Sequence, residues 1–280
     1  MMTTINAETT SLINNYFYLS IFSNMSSLSN NFVSPINPLR IHISPVGFEV
    51  DRIILPAFNM KADRVWLITH NNPSADEGIH FLEAIKKELD KEKIEFREEA
   101  ADRTDLFDTL RAFRSILVRE NGNNIMVNVS AGSKIQAIAS MLACMMFKNT
   151  LNIKPYYVIP EKYTSAPRKQ ETEGLKDIVS LPEYEIKIPS QKLVRCLTLI
   201  NGFKGGTISK KQLRDLALQE GLIHVETQNA DKEGVAAYMS LNKNFIQPLL
   251  DRSLINVEKI GGSHKITLTT EGKNVLKFLG

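Results

Sequence analysis

The stretch Asn128-Val129-Ser130-Ala131-Gly132-Ser133-Lys134 is where residue types and spacing first suggest chemistry. An apolar run from Asn124 to Val129 leads into it, and an apolar helical pattern from Lys134 to Phe147 leads out. It therefore reads as a bend between a buried strand and a helix. Small residues let the backbone approach a ligand, and a helix N-terminus offers free N–H groups and positive potential to an anion. Lys134 adds a cation, and Asn128, Ser130 and Ser133 add hydrogen-bonding side chains. Anion binding, of phosphate above all, is the chemistry implied; a tight turn without a ligand is the alternative. The bend lacks the glycine spacing of a Walker loop and of a G-x-G-x-x-G dinucleotide fingerprint. No catalytic or metal-binding cluster and no cofactor is expected. The five histidines are scattered, and Cys144 and Cys196 each sit in an apolar helical pattern, as buried thiols in a reducing, cytoplasmic compartment do.

A second group lies near the C-terminus. Tyr238, Ser240, Asn242, Lys243, Asn244 and Gln247 form the polar side of an expected helix from about Val235 to Arg252. Such side chains read base edges or grip phosphates. Lys210 and Lys211 on the preceding helix, with His264 and Lys265 at a hairpin tip, could hold a DNA backbone. From Ser190 to Gly280 there are 13 Lys+Arg and 8 Asp+Glu, a net +5 against +3 for the whole chain. A mildly basic C-terminal third on a slightly acidic body suits a polyanion-binding module joined to something else.

The elements that must position these residues follow from periodicity. Arg40–Ser44, Arg64–Thr69, Ile94–Arg97, Asn124–Val129 and Pro155–Ile159 read as strands. Between them run helical patterns, including Leu106, Leu110, Phe113 and Leu117 on one stripe. Strands alternating with helices imply a mostly parallel sheet covered on both faces. Ligands bind such sheets beyond the strand carboxyl ends, which singles out the loops Ser44–Phe48, His70–Ser74 and Ser130–Lys134. Glu161–Glu173 reads as an exposed polar loop, and Val179–Pro182 with Tyr184–Ile188 as a closing strand and linker. Gln191–Ile200 is a helix, and Ser209 with Gln212 makes a capping signature for the next. Glu226–Gly234 is a polar connection to the third helix, where Pro248 predicts a kink. Two strands, Leu254–Ile260 and Lys265–Thr269, and a short helix, Glu271–Leu279, close the chain. Three helices before a two-stranded hairpin make a winged helix. The expected fold class is thus α/β: a Rossmann-like, mostly parallel sheet domain (39–188) followed by an α+β winged-helix domain (189–280).

Residues 1–38, rich in Ser, Asn and Thr with Glu8 as their single charge, are expected to be a disordered extension. No basic residue precedes the apolar patch Tyr16–Phe22, which argues against a secretory signal. No apolar run approaches the roughly 20 residues of a membrane span.

The bend is similar to the N-x-[ST]-x-G-[TS]-K motif of CARF domains, the Rossmann-like sensors first recognised in CRISPR-associated proteins. His42–Arg52 and Ala62–Leu67 resemble the archaeal branch in which such a domain precedes a winged helix. Ala131 stands where that motif often has glycine, and Ser133 where threonine is usual. The resemblance implies a homodimer binding a cyclic oligoadenylate or related nucleotide across its two-fold axis. The ligand residues would be Gly47 and Phe48, His70 and Asn71, and Asn128 with Ser130, Ala131, Gly132, Ser133 and Lys134. It implies a non-enzymatic, ligand-responsive transcription regulator partnered by double-stranded DNA. A ring nuclease in which Ser133 and Lys134 stabilise charge is the second reading, with His70 as the one candidate base. A third is a housekeeping phosphate-ligand enzyme on the Rossmann-like core, and for the winged helix a role in protein contacts alone competes with DNA binding.

Overall fold

The computed structural model describes residues 37–164, 170–225 and 230–280. The expected N-terminal extension, except its last residues, and the Ser165–Lys169 part of the polar loop lie outside them. Five strands, β1 (Arg40–Pro45), β2 (Arg64–His70), β3 (Glu95–Ala101), β4 (Asn124–Asn128) and β5 (Ile153–Ile159), run parallel. Helices α1 (Asp51–Asn59), α2 (Ile79–Lys91), α3 (Leu106–Arg119) and α4 (Lys134–Phe147) connect them in order. After the short pair β6 (Lys162–Tyr163) and β7 (Thr172–Glu173), β8 (Asp177–Ser180) adds antiparallel to β5. The sheet order is β3-β2-β1-β4-β5-β8, so the chain winds one way from β1 and then the other.

Strand alternation sorts the core. Ile41, Ile43, Trp66, Ile68, Ile125 and Val127 pack on α3 and α4, while Val65 and Leu67 face Ile53, Ile54 and Ala57 of α1 and Leu82, Ile85 and Leu89 of α2. The α4 segment is buried on one face only; Ile138 on its outer side is 52% exposed. At the amino ends of the strands, the buried Glu120 carboxylate accepts from Trp66 Nε1 (2.7 Å), Arg64 Nη1 (2.7 Å) and Asn123 Nδ2 (2.8 Å). Strand β3 runs four residues past the expected end. Its edge position leaves Glu95, Glu98 and Arg97 exposed, and Glu95 and Glu98 pair with Arg64 and Lys86. The apolar pattern therefore fades where the strand continues.

The C-terminal part is α5 (Gln191–Gly202), β9 (Thr207–Ser209), α6 (Lys210–Gln219), α7 (Ala230–Leu241), α8 (Gln247–Asp251), β10 (Ile255–Ile260), β11 (Ser263–Leu268) and α9 (Thr270–Leu279). Strand β9, not anticipated, pairs with β11 and completes a three-stranded sheet. Tyr184–Ile188, on the expected linker, forms neither helix nor strand. The segment lies between Pro182 and Pro189, neither of which can donate to a ladder. Helix α7 begins at Ala230, inside the expected polar connection, of which residues 226–229 lie outside the description. Between α7 and α8, Asn242–Ile246 forms a π-turn, with Gln247 N–H bonded to Asn242 O. In a regular α-helix the ring of Pro248 would meet the carbonyl four residues back, and the widened turn carries the helix past it.

Helix α9 belongs to both halves. Gly272 in its first turn lies so close to Leu254 that a Cβ would stand 2.1 Å from that residue's carbonyl oxygen, which only glycine permits. At its other end Phe278 joins the core of the parallel-sheet domain and stacks on Phe107 of α3 (6.2 Å between centroids). Arg111 Nε and Arg114 Nη1 donate to the carbonyls of Lys277 (3.1 Å) and Phe278 (2.9 Å).

Candidate functional site

Sheet order reverses between β1 and β4, so the loops following these two strands flank the crevice where open α/β sheets take their ligands. The Ser130–Lys134 bend is one of those loops, and Gly47 and Phe48 lie in the other. They meet glycine to glycine: a Cβ on Gly47 would stand 3.0 Å from Gly132 Cα. Gly132 has φ of 78°, and a Cβ there would fall 2.6 Å from Pro45 Cβ and 2.7 Å from Gln136 Oε1.

Most of the polar side chains of the bend are engaged within the protein. Asn128 is fully buried; its Nδ2 donates to Arg52 O (2.8 Å), and its Oδ1 accepts from the N–H (2.9 Å) and hydroxyl (2.6 Å) of Ser130. Ser133 caps α4, accepting from Gln136 N–H (3.2 Å) while donating its hydroxyl to Arg103 O (2.8 Å). Gln136 Oε1 in turn accepts from Ser133 N–H (2.9 Å). Ala131 is buried, and Lys134 is exposed. The bend therefore turns outward mainly its backbone and the Lys134 side chain.

Side chains not singled out from sequence brace this edge. Arg52 of α1 is buried; its Nη1 donates to Ser130 O (2.9 Å) and its Nη2 to the Tyr163 hydroxyl (3.3 Å). The guanidinium lies 5.8 Å from the Tyr157 ring centroid and 5.6 Å from that of Tyr163. Glu49 stands 3.6 Å from Arg52 Nη1 and accepts from the Thr172 hydroxyl. Burial raises the Glu49 pKa, opposed by that hydrogen bond and by Arg52. Gln170 Oε1 accepts the N–H groups of Val50 (3.0 Å) and Asp51 (3.1 Å), capping α1 from the strap between β6 and β7. Arg103 pairs with the buried Asp76, whose Oδ1 also accepts Gly78 N–H (2.9 Å). The sequence carried one signal for Arg52, its place at the end of the His42–Arg52 run; its partners are 78 and 111 residues away.

Of the remaining expected ligand residues, Phe48 is half-buried and meets Phe81 edge-on (5.8 Å). His70 is half-buried, its Nδ1 accepting Asn72 N–H (2.8 Å), and Asn71 is exposed with its N–H on Ala101 O (3.2 Å). Deeper in the sheet, His42 is buried with Nδ1 3.2 Å from the Tyr156 hydroxyl. Burial, aided by the Arg40 cation, lowers its pKa to about 4. Among the described residues, no three His, Cys, Asp or Glu side chains gather as a metal site, and no helix is long and apolar enough to cross a membrane.

In the C-terminal domain, Ser209 and Gln212 form the expected capping box. Lys210 Nζ donates to Asn242 Oδ1 (3.1 Å), tying α6 to the end of α7. Tyr238 turns sideways onto α6, with the Arg214 guanidinium 4.5 Å from its ring. Asn244 bonds Ser240 (3.1 Å) and Gln247 bonds Asp251 (2.7 Å). Lys211, Asn242, Lys243, Asn244, Gln247 and His264 are exposed, and Lys210, Ser240 and Lys265 half-buried. Polar pattern alone missed Val235 and Met239, 62% and 68% exposed on α7.

Residues 40–163 match the family model described as HFX_2341_N-like, N-terminal, and residues 192–280 that of the DUF6293 C-terminal winged helix domain. The chain joins a Rossmann-like domain to a DUF6293-type winged helix. This is the order of domains that the CARF resemblance implied. An uncharacterized protein of Methanocaldococcus jannaschii, MJ1513, is 24% identical over 323 residues, spanning 86% of this chain and 96% of the relative. Among solved structures, Can2 from Sulfobacillus thermosulfidooxidans in complex with cyclic tetra-adenylate is 16% identical over 85% of this chain, with a TM-score of 0.35. Enterococcus italicus Csm6 bound to cyclic hexa-2'-fluoro-hexa-dAMP is 13% identical over 78%, with a TM-score of 0.40. The chain spans 63% and 56% of those two proteins, less than two thirds of either.

Proposed function

We propose that the chain is a ligand-responsive transcription regulator that binds a cyclic oligoadenylate or related nucleotide at the β1/β4 crevice and double-stranded DNA through its winged helix. The observation that carries the reading is the glycine contact between the two loops at the reversal of sheet order. It brings the start of α4 to the crevice where an anionic ligand would lie. The ligand would be held by backbone N–H groups of the bend and first turn and by Lys134, with Gly47, Phe48, His70 and Asn71 along the rim. The internal bonds of Asn128, Ser130 and Ser133 give these residues the work of fixing the bend, leaving charge and backbone to meet the phosphate. Ile138, with half-buried Met141 and Met145 along the same side of α4, supports a homodimer that shares the site. Lys210, Lys211, Lys243 and Lys265 supply cations for a DNA backbone, and the exposed His264 a ring that can hydrogen-bond to it.

Incubation of the full chain with labelled cyclic tetra-adenylate tests the reading. Retention of intact ligand supports a sensor, linear products point to a ring nuclease, and absence of binding removes the cyclic nucleotide. Lys134→Ala should weaken retention about tenfold, the scale of one charge-assisted hydrogen bond, without moving the unfolding midpoint. A gel shift on the protein's own promoter, with and without the ligand, tests the DNA half.

A further inference from the structure

Part of the outer side of α7, at Val235 and Met239, is apolar where a solvated helix would be polar. Ala237 and Leu241, with Phe245, Ile246 and Leu249 beyond, point inward. Val235 and Met239 stand one turn apart on the opposite side, more exposed than most apolar residues of the described chain. Asn242 and Lys243 follow on that side at three and four residues beyond Met239. Asn242 Oδ1 already accepts from Lys210 Nζ, so the amide offers donors to anything outside. The apolar pair thus lies on the side of α7 where Lys210, through Asn242, and Lys243 stand, in a domain carrying a net +5.

This pattern fits one surface better than an apolar partner: the floor of a DNA major groove. There the phosphates lie to either side, and the one apolar group on a base edge is the thymine C5-methyl. We propose that Val235 and Met239 determine base specificity by packing against thymine methyls, so that the operator carries thymine where the third helix crosses the groove. The inference rests on the DNA-binding reading and deepens it. Cations alone would grip any sequence; the apolar pair turns that grip into selection for methylated pyrimidine edges. Tyr238, held against Arg214 of α6, is left outside the reading set.

The test selects bound duplexes from a randomised DNA pool with the full chain, then remeasures the recovered site with single thymines replaced by deoxyuridine, which lacks only the methyl. The expected result is a loss of about fourfold per contacted methyl, the factor attached to one buried methylene-sized group. That loss should disappear at the same position in Met239→Ala or Val235→Ala, while the salt dependence of binding stays that of the parent chain. Tight, selective binding that is indifferent to deyoxyuridine at every position, or recovered sites without thymine at a fixed place, would overturn the inference and leave DNA binding standing. Recovery of no DNA at any salt concentration would overturn both, and would return this face to a protein partner.

Discussion

Replacing Phe278 by alanine should destabilise the domain at the other end of the sequence. Phe278 is 6% exposed and sits in the core with Leu110, Phe113 and Leu117, although only Leu279 and Gly280 follow it in the sequence. Truncating a buried phenylalanine costs about 3–5 kcal/mol, to which the stack on Phe107 contributes about 1 kcal/mol. The site is at the rim, where neighbouring side chains can partly close the gap, so a loss of about 3 kcal/mol is expected. The bonds from Arg111 and Arg114 end on main-chain carbonyls and survive the substitution, which isolates the packing contribution. Trp66, the only tryptophan, is 2% exposed within the same core, so its fluorescence follows unfolding of the parallel-sheet domain. In urea the tryptophan transition should move to lower concentration with an unchanged slope. An unmoved Trp66 transition, with only helix content lost, would show that α9 merely rests on the sheet domain and would refute the shared core.

Three further outcomes follow. Glu120→Ala strips Trp66, Arg64 and Asn123 of one buried acceptor, and a loss of about 3 kcal/mol in urea unfolding is expected. His42 has a folded pKa of about 4, below its ordinary 6.5, so the unfolded chain binds the extra proton between these values. Stability should therefore fall as pH drops from 6.5 to 4, by about 3 kcal/mol at most; the fall is read as the difference from His42→Leu, and parallel profiles would contradict it. Gly132→Ala forces a side chain into φ of 78° and against Pro45 and Gln136. It should cost about 1–2 kcal/mol from the backbone alone and disturb the α4 cap as well; calorimetry should show it, together with loss of nucleotide binding.

The sequence made the central strands legible because most of their side chains are buried on both faces and read as apolar runs, as Val65–Ile68 and Ile125–Val127 do. It blurred at the margins. Glu98 and Glu99 are strand residues at a sheet edge, where burial no longer dictates side-chain type. Thr207–Ser209 serves at once as a strand and as the cap of α6, and the capping signature masked the pairing. The bend at Ser130–Lys134 was readable from local chemistry, but the use of its side chains was not. Whether Asn128 faces a ligand or Arg52 depends on a contact across 76 residues. On α7, polar residue types drew attention to Tyr238, whereas its packing on Arg214 leaves Met239 facing outward.

The outermost strand carries one more consequence. An unpaired strand margin is an open row of hydrogen-bonding groups on which another copy could dock and grow, and Glu95, Arg97, Glu98 and Glu99 crowd that margin with charge. A newcomer aligning there would have to strip water from carboxylates or break their ties to Arg64, Lys86 and Arg119. The charged fringe thus opposes edge-to-edge pairing along this margin of the sheet.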